Sequence, residues 1–303
     1  MKDYSKGIML ALITAIISGI SVFVNGFAIK LSDPIVYVTL KNVGALVFLV
    51  VIAFALNELK NLKKLSRKQI GMLVLIGIIG GSVPFALFFW GLKLGGAAIS
   101  SFIFRSLFIF AAVFGYLILK EKPERNDLIA AFLILAGNAL LVSGELSFGL
   151  GQVLVLFATL LWALEYTLSR KMLSEVAPRT VMVSRMLFGS IVLLCFLFFT
   201  GSFSDLLSFT PGVLPWLALT SLLLFGFVSA WYSALKYLPV AKAAAILTLG
   251  GIVTMVLNAV FLKSIISISD ILSILLIVVG CAVAIKLGEL SNLLKQPINS
   301  KQT

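Results

Sequence analysis

The stretch GLKLGGAAISSFIFRSLFIFAAVFGYLILKEKPERNDLIAAFLILAGNALLV, residues 91–142, decides the fold. It returns in weak disguise as ALKYLPVAKAAAILTLGGIVTMVLNAVFLKSIISISDILSILLIVVGCAVAI, residues 234–285. Superposed without a gap, the two copies place Lys93 on Lys236, Lys120 on Lys263, Asp127 on Asp270 and Gly137 on Gly280, each pair 143 residues apart. Apolar coincidences such as Leu92 with Leu235 carry little weight in a chain so rich in Leu, Ile and Ala; the charged and glycine matches carry the case. Upstream, the echo continues with one residue of slip, pairing Gly7 with Gly151, Pro34 with Pro178 and Lys41 with Arg185. The chain is one unit written twice. The units are expected at residues 1–145 and 146–290, followed by a tail at 291–303.

Composition fixes the solvent. The 303 residues are 61% hydrophobic and only 12% charged, with a mean hydropathy of +1.15. That is more apolar surface than a water-soluble domain hides, and it comes in long blocks. A bilayer core of about 30 Å needs roughly 20 apolar residues per helix. Ten segments meet that length: Ile8 to Ala28, Ile35 to Leu56, Ile70 to Leu92, Ala97 to Leu119, Leu128 to Gly144, Gly149 to Ser169, Thr180 to Thr200, Pro215 to Leu235, Val240 to Leu262 and Ile271 to Leu287. The predicted fold class is therefore an all-α, polytopic membrane protein of ten transmembrane helices.

A net charge of +12 suggests a nucleic-acid partner until the basic residues are placed. Lys2, Lys6, the cluster from Lys60 to Lys68, Lys120, Lys122, Arg125, Arg170, Lys171, Arg179, Lys236, Lys242, Lys286, Lys295 and Lys301 all fall in the even-numbered connections or the tails. The opposite connections hold only Lys30, Lys93 and Lys263. This is the positive-inside pattern, so both termini are expected in the cytoplasm of a multi-pass cell-membrane protein, with the lipid bilayer and not nucleic acid as its partner. Five spans per unit is an odd number, so the second unit enters the membrane from the opposite side. The two units are inverted repeats, an architecture in which secondary transporters build a midplane site and alternate its access.

Three cations remain inside spans. Lys41 lies roughly 9 Å below the edge of span 2 by helical rise, a depth from which it either snorkels or serves a site. Arg105 in span 4 lies roughly 12 Å deep, too central for easy snorkelling, and should face the interior with a partner. Arg185 in span 7 is at a similar depth to Glu165 in span 6, and the two are natural partners. Glu165 is either one half of a structural lock or the carrier of a coupling proton, released from Arg185 in one conformation. Span 3 contains Gly77, Gly80, Gly81, Pro84 and Gly91, which permit a kink. It is followed by Phe88, Phe89 and Trp90, whose repeat equivalents Trp231, Tyr232 and Ser233 end span 8. These aromatics line a pore or form an interfacial belt, and spans 3 and 8 are expected to be kinked alike.

The ten-span, five-plus-five layout resembles the EamA-type branch of the drug/metabolite transporter superfamily. So do Trp162-Ala163 in span 6, Arg185 early in span 7, Ala234-Leu235-Lys236-Tyr237 running into Ala243-Ala244-Ala245, and Leu119-Lys120-Glu121-Lys122-Pro123 after span 4. The resemblance implies a carrier of small organic metabolites, often an exporter, with a central cavity lined by spans 1, 3, 4, 6, 8 and 9. The chain departs from the pattern where Arg105-Ser106 and Gly250-Gly251 replace a proline in spans 4 and 9, and where Ser264 replaces a glutamate after span 9. The substrate-site set expected on these grounds is Lys41, Trp90, Arg105, Trp162, Glu165, Arg185, Trp231 and Tyr232. The expected substrate is an amino acid or related organic anion.

Enzymatic chemistry finds little to work with. There is no histidine, no phosphate-binding loop and no nucleophile motif, and Cys195 and Cys281 read as small hydrophobes. Neither a cofactor nor a metal is expected. The alternative to a carrier is a channel or a lipid or drug flippase of the same architecture, and a homodimer remains an open assembly.

Overall fold

A computed structural model describes residues 2–28, 33–58, 65–95, 97–141, 149–206 and 211–285. Helix α1 (Lys2–Ala28) and α2 (Pro34–Ala55) are the first two spans. The third is broken into α3 (Arg67–Gly81) and α4 (Val83–Gly95), and the fourth into α5 (Ala97–Arg105) and α6 (Leu107–Phe114), the latter running into a π-helical turn, Gly115–Leu119. Then come α7 (Arg125–Ala139), α8 (Leu150–Met172), α9 (Pro178–Phe199) and α10 (Leu214–Leu235). The ninth span is α11 (Val240–Leu247) plus α12 (Gly250–Leu262), and α13 (Ile268–Ile285) is the tenth. Among the described residues there is no strand, and nine stretches are long and apolar enough to cross a membrane. The fifth segment, α7, has 15 residues. Its expected end at Gly144, the junction at 145–146, the end of the tenth span and the tail lie outside the described residues.

The polar residues that reveal the repeat are helix punctuation. Pro34 and Pro178 open α2 and α9 at a position where the missing N–H costs nothing. Asp127 accepts the backbone N–H of Glu124 at 2.9 Å, and Asp270 that of Ser267 at 2.8 Å, so both carboxylates hold the start of a helix. Lys120 and Lys263 are left-handed, with φ of 59° and 54°. Each ends its helix in a turn closed from the next residue back across six, Glu121 N–H to Gly115 C=O at 3.1 Å and Ser264 N–H to Asn258 C=O at 3.4 Å.

Packing repeats the same relation. Helix α1 lies on α10 as α8 lies on α4, α2 lies on α10 as α9 lies on α3, and α1 meets α11 and α12 as α8 meets α5 and α6. Two contacts are self-equivalent: α7 with α13, and α2 with α9. At the first of these, a Cβ built on Gly137 would fall 2.9 Å from Ile277 and 3.0 Å from the Ser273 carbonyl. One built on Gly280 would fall 2.7 Å from Ile134 and 3.0 Å from the Ala130 carbonyl. These are the same contact turned over, since each partner also lies 143 residues from its counterpart. Within lipid, close backbone approach of this kind replaces the hydrophobic drive as the source of helix association. Phe54, Phe132, Phe199 and Ile265 are accordingly left on the outer surface.

The breaks differ from expectation. Span 3 is interrupted at Ser82 (φ −140°, ψ −73°), but span 8 is continuous from Leu214 to Leu235. It has no residue like Pro84 at the matching point, where Phe227 stands. Spans 4 and 9 are interrupted instead, at the repeat-equivalent points Arg105-Ser106 and Thr248-Leu249. There the hydroxyls of Ser106 and Thr248 each bond back to the carbonyl three residues earlier at 2.6 Å. Side chains of this type loosen the helical ladder without a proline.

Filling the α7–α13 contact should be costly. Gly137→Val is expected to destabilise the protein by about 1–3 kcal/mol through overpacking, read as a lowered thermal unfolding midpoint in detergent. Gly71→Ala, where a Cβ meets nothing within 4 Å, should leave the midpoint unchanged or slightly raised.

Candidate functional site

The site grows from one missing donor. In an unbroken helix the carbonyl of Gly80 would accept the N–H of the residue four positions on, but that residue is Pro84 and has none. The chain breaks at Ser82, and the Phe85 N–H bonds to the Ser82 carbonyl at 3.0 Å. The carbonyls of Gly80 and Gly81 are thereby both left to side chains. Arg185 Nη2 donates to Gly80 C=O at 2.8 Å and Trp162 Nε1 donates to the same oxygen at 3.1 Å. Asn42 Nδ2 donates to Gly81 C=O at 3.1 Å. One break in span 3 thus collects α2, α8 and α9.

Close approach makes this geometry possible. A Cβ on Gly80 would lie 2.4 Å from Glu165 Cγ, and one on Gly81 would lie 2.8 Å from Gly189 Cα. Glu165 is fully buried. Its Oε1 accepts from Ser169 Oγ and from the Tyr232 hydroxyl, both at 2.6 Å. Its Oε2 faces Arg185 Nε at 3.8 Å, and neither of those two atoms has a hydrogen bond. The pair is a loose ion contact rather than a fork, with the Arg185 guanidinium also 6.0 Å from the Tyr232 ring centre. Desolvating two charges costs several kcal/mol each, and a pair held this loosely returns little of it. Ser169, Arg185 and Tyr232 lie on α8, α9 and α10, so the carboxylate couples those three helices.

An aromatic shell closes around the pair. The Trp162 ring is met by Phe85, Phe88 and Phe104 at 5.2, 5.5 and 5.3 Å. Trp231, fully buried, lies 4.6 Å from Tyr166 and stacks on Phe227 at 6.2 Å. Its indole N–H has no hydrogen-bond partner.

Of the eight residues expected at the site, Trp162, Glu165, Arg185 and Tyr232 are brought together, and Trp231 stands next to them beside Tyr232. Lys41 is buried, with its ammonium 6.0 Å from the Tyr37 ring. Arg105 ends α5, with its guanidinium against the start of α12, 3.4 Å from a Cβ built on Gly251. Neither cation has a carboxylate within ion-pairing range among the described residues. Trp90 is nearly half-exposed and packs edge-on against Phe196 at 5.8 Å, away from the cluster. Sequence reasoning missed the Gly80 and Gly81 carbonyls, Asn42 and Ser169. The signal was there: a proline four residues after a glycine in a membrane span announces a free carbonyl.

Removing one charge of the pair should hurt more than removing both. Arg185→Met alone strands the Glu165 carboxylate and is expected to cost about 3–5 kcal/mol. Glu165→Gln in the same chain should recover much of that loss, because the amide keeps partners in Ser169 and Tyr232 without a charge. Thermal unfolding of the two single variants and the double variant measures it.

Comparison with known proteins agrees with this architecture. The model of the EamA-like transporter family matches twice, at residues 5–143 and 149–286. The chain is 24% identical over 228 residues to the uncharacterized transporter YyaM of Bacillus subtilis (strain 168), covering 72% of this chain and 73% of that one. It is 30% identical over 171 residues to an uncharacterized transporter of Archaeoglobus fulgidus, covering 54% of this chain and 58% of that one. A crystal structure 14% identical in sequence superposes with a TM-score of 0.77 over 93% of this chain and 98% of its own, and so has the same fold. With both halves matched by one family model and packed as equivalents of each other, this multi-pass membrane protein belongs to the EamA-like transporter family.

Proposed function

We propose that the protein is a non-enzymatic secondary transporter that moves small organic metabolites bearing a carboxylate, amino acids or related organic anions, across the cytoplasmic membrane by alternating access. The basic end of the bundle faces the cytoplasm, with both termini, and the direction is export. One observation carries the choice of substrate charge. Arg185 has its counter-ion in Glu165, whereas the intramembrane cations Lys41 and Arg105 have none among the described residues. A buried or half-buried cation in hydrocarbon is expensive, and an anionic substrate supplies the missing partner. The interrupted spans 3, 4 and 9 add support, since discontinuous helices are where carriers of this general type place their sites. In the pair of Glu165 and Arg185, the lock between spans 6 and 7 is favoured over a proton carrier, because Glu165 keeps two hydrogen bonds that do not depend on Arg185.

Purified protein in proteoliposomes, screened against radiolabelled metabolites with and without a pH gradient, tests this proposal. Carboxylate-bearing compounds should bind and move. Arg105→Ala should weaken their binding by roughly tenfold or more, the value of one charge-assisted hydrogen bond. A preference for cationic compounds, undiminished in Arg105→Ala, would contradict it.

A further inference from the structure

A cavity of about 360 Å³ lies apart from the paired charges, between the end of α2, the start of α9 and the last turns of α10. Its size falls in the range of about 300–1,000 Å³ typical of small-molecule sites. Leu49, Ile52, Met182 and Phe225 make apolar walls, Ser229 and Ser233 lie on one side, and Glu58 and Arg179 complete the lining. Glu58 and Arg179 form an ion pair, and their side chains are 36% and 29% exposed. Leu49 and Met182, by contrast, are buried. The cavity therefore runs inward from a charged, water-touching rim.

The two units differ in residue type at this place. Under the pseudo-symmetry, Ser233 corresponds to Trp90 and Ile52 to Phe196. At the opposite end of the bundle those two residues pack ring against ring at 5.8 Å. Two aromatics meet there, whereas this cavity has Ser233 and Ile52 in its lining at the corresponding positions.

We propose that this cavity is a second binding site, for a small anion with a short apolar body, in which Arg179 exchanges Glu58 for the ligand's carboxylate. An ion pair this exposed is worth about 0–1 kcal/mol, so the exchange costs little. Two features choose the anion over a cation that would instead pair with Glu58. Ala177 and Pro178 bring the N-terminus of the 22-residue helix α9 to the cavity, and that helix end favours negative charge. Arg67 and Lys68, in the first turn of α3 beside the Gln69 that bonds Glu175 just ahead of α9, add positive charge at this end of the bundle, which concentrates anions. The proposal does not depend on the direction, coupling or central site given above, and a failed transport assay leaves it standing or falling on its own evidence.

Cysteine protection in lipid nanodiscs tests it, with hexanoate and hexylamine as probes and a charged, membrane-impermeant methanethiosulfonate as the label. Ser229→Cys should be labelled, while the unsubstituted protein, with Cys195 and Cys281 in apolar surroundings, serves as background. Hexanoate should slow the labelling severalfold and hexylamine should not. Glu58→Gln should lower the hexanoate concentration needed, Arg179→Gln should abolish protection, and Arg179→Lys should keep part of it. A Ser229→Cys that is inert in folded protein overturns the proposal, as does equal protection by the amine. Protection by hexanoate that survives Arg179→Gln overturns it too.

Discussion

The constraint on which the rest depends is the absent N–H of Pro84. A backbone carbonyl in a membrane span must find a donor within the protein, because hydrocarbon offers none. The Gly80 oxygen finds two, Arg185 and Trp162. Span 3 of the first unit is thereby fastened to spans 6 and 7 of the second, and the close approach needed to do it forces glycine at positions 80 and 81. The position of Glu165 follows, since its side chain fills the space left by the missing Cβ of Gly80. Tyr232 and Ser169 then satisfy the oxygen that Arg185 does not face.

Against that one-sided node stands a symmetric frame. The α7–α13 contact, the shared helix starts at Asp127 and Asp270, and the left-handed ends at Lys120 and Lys263 are nearly identical in the two units. Chemistry departs from symmetry where the frame surrounds the middle of the bundle: Arg105 stands where the other unit has Thr248, and Glu165 where it has Ser21. Under the proposed alternating access, the frame would supply the two related conformations and the unmatched charges the groups that a ligand recognises. The basic end carries its own bonds, within the second unit and between the units. Arg170 donates to the carbonyls of Leu235 and Lys236 at 2.7 and 2.5 Å and faces Glu121 at 3.6 Å, and Glu121 in turn accepts the Val240 N–H at 3.0 Å. Those contacts close that end of the bundle between spans 4, 6, 8 and 9.

Much of this was legible in the residues. Hydropathy located the spans, and the spacing of Lys120, Asp127 and Gly137 from their counterparts located the repeat, because caps and close contacts tolerate few alternatives. The pairing of Glu165 with Arg185 followed from depth alone. The interrupted helices were less legible. Pro84 marked span 3, but repeat symmetry wrongly extended the kink to span 8, which lacks such a proline. The breaks in spans 4 and 9 rest on Ser106 and Thr248, whose hydroxyls compete for backbone carbonyls in a way that composition does not reveal. Trp90 was expected at the site because it ends the aromatic run equivalent to Trp231, Tyr232 and Ser233. In the folded chain it points to Phe196, since what a span presents to its neighbours depends on rotation about its axis as well as on position along it.

The most direct test of the central claim is a double-mutant cycle between Pro84→Ala and Trp162→Phe, followed by thermal or denaturant unfolding. If the missing N–H is what frees the Gly80 carbonyl, the backbone N–H restored by Pro84→Ala takes that oxygen, and the indole bond is already weakened before Trp162 is changed. The cost of Trp162→Phe should then shrink by about 1 kcal/mol in the Pro84→Ala background, a coupling of the size expected for residues sharing one hydrogen-bond acceptor. Additive costs would mean that Pro84 and Trp162 act independently and would contradict the account.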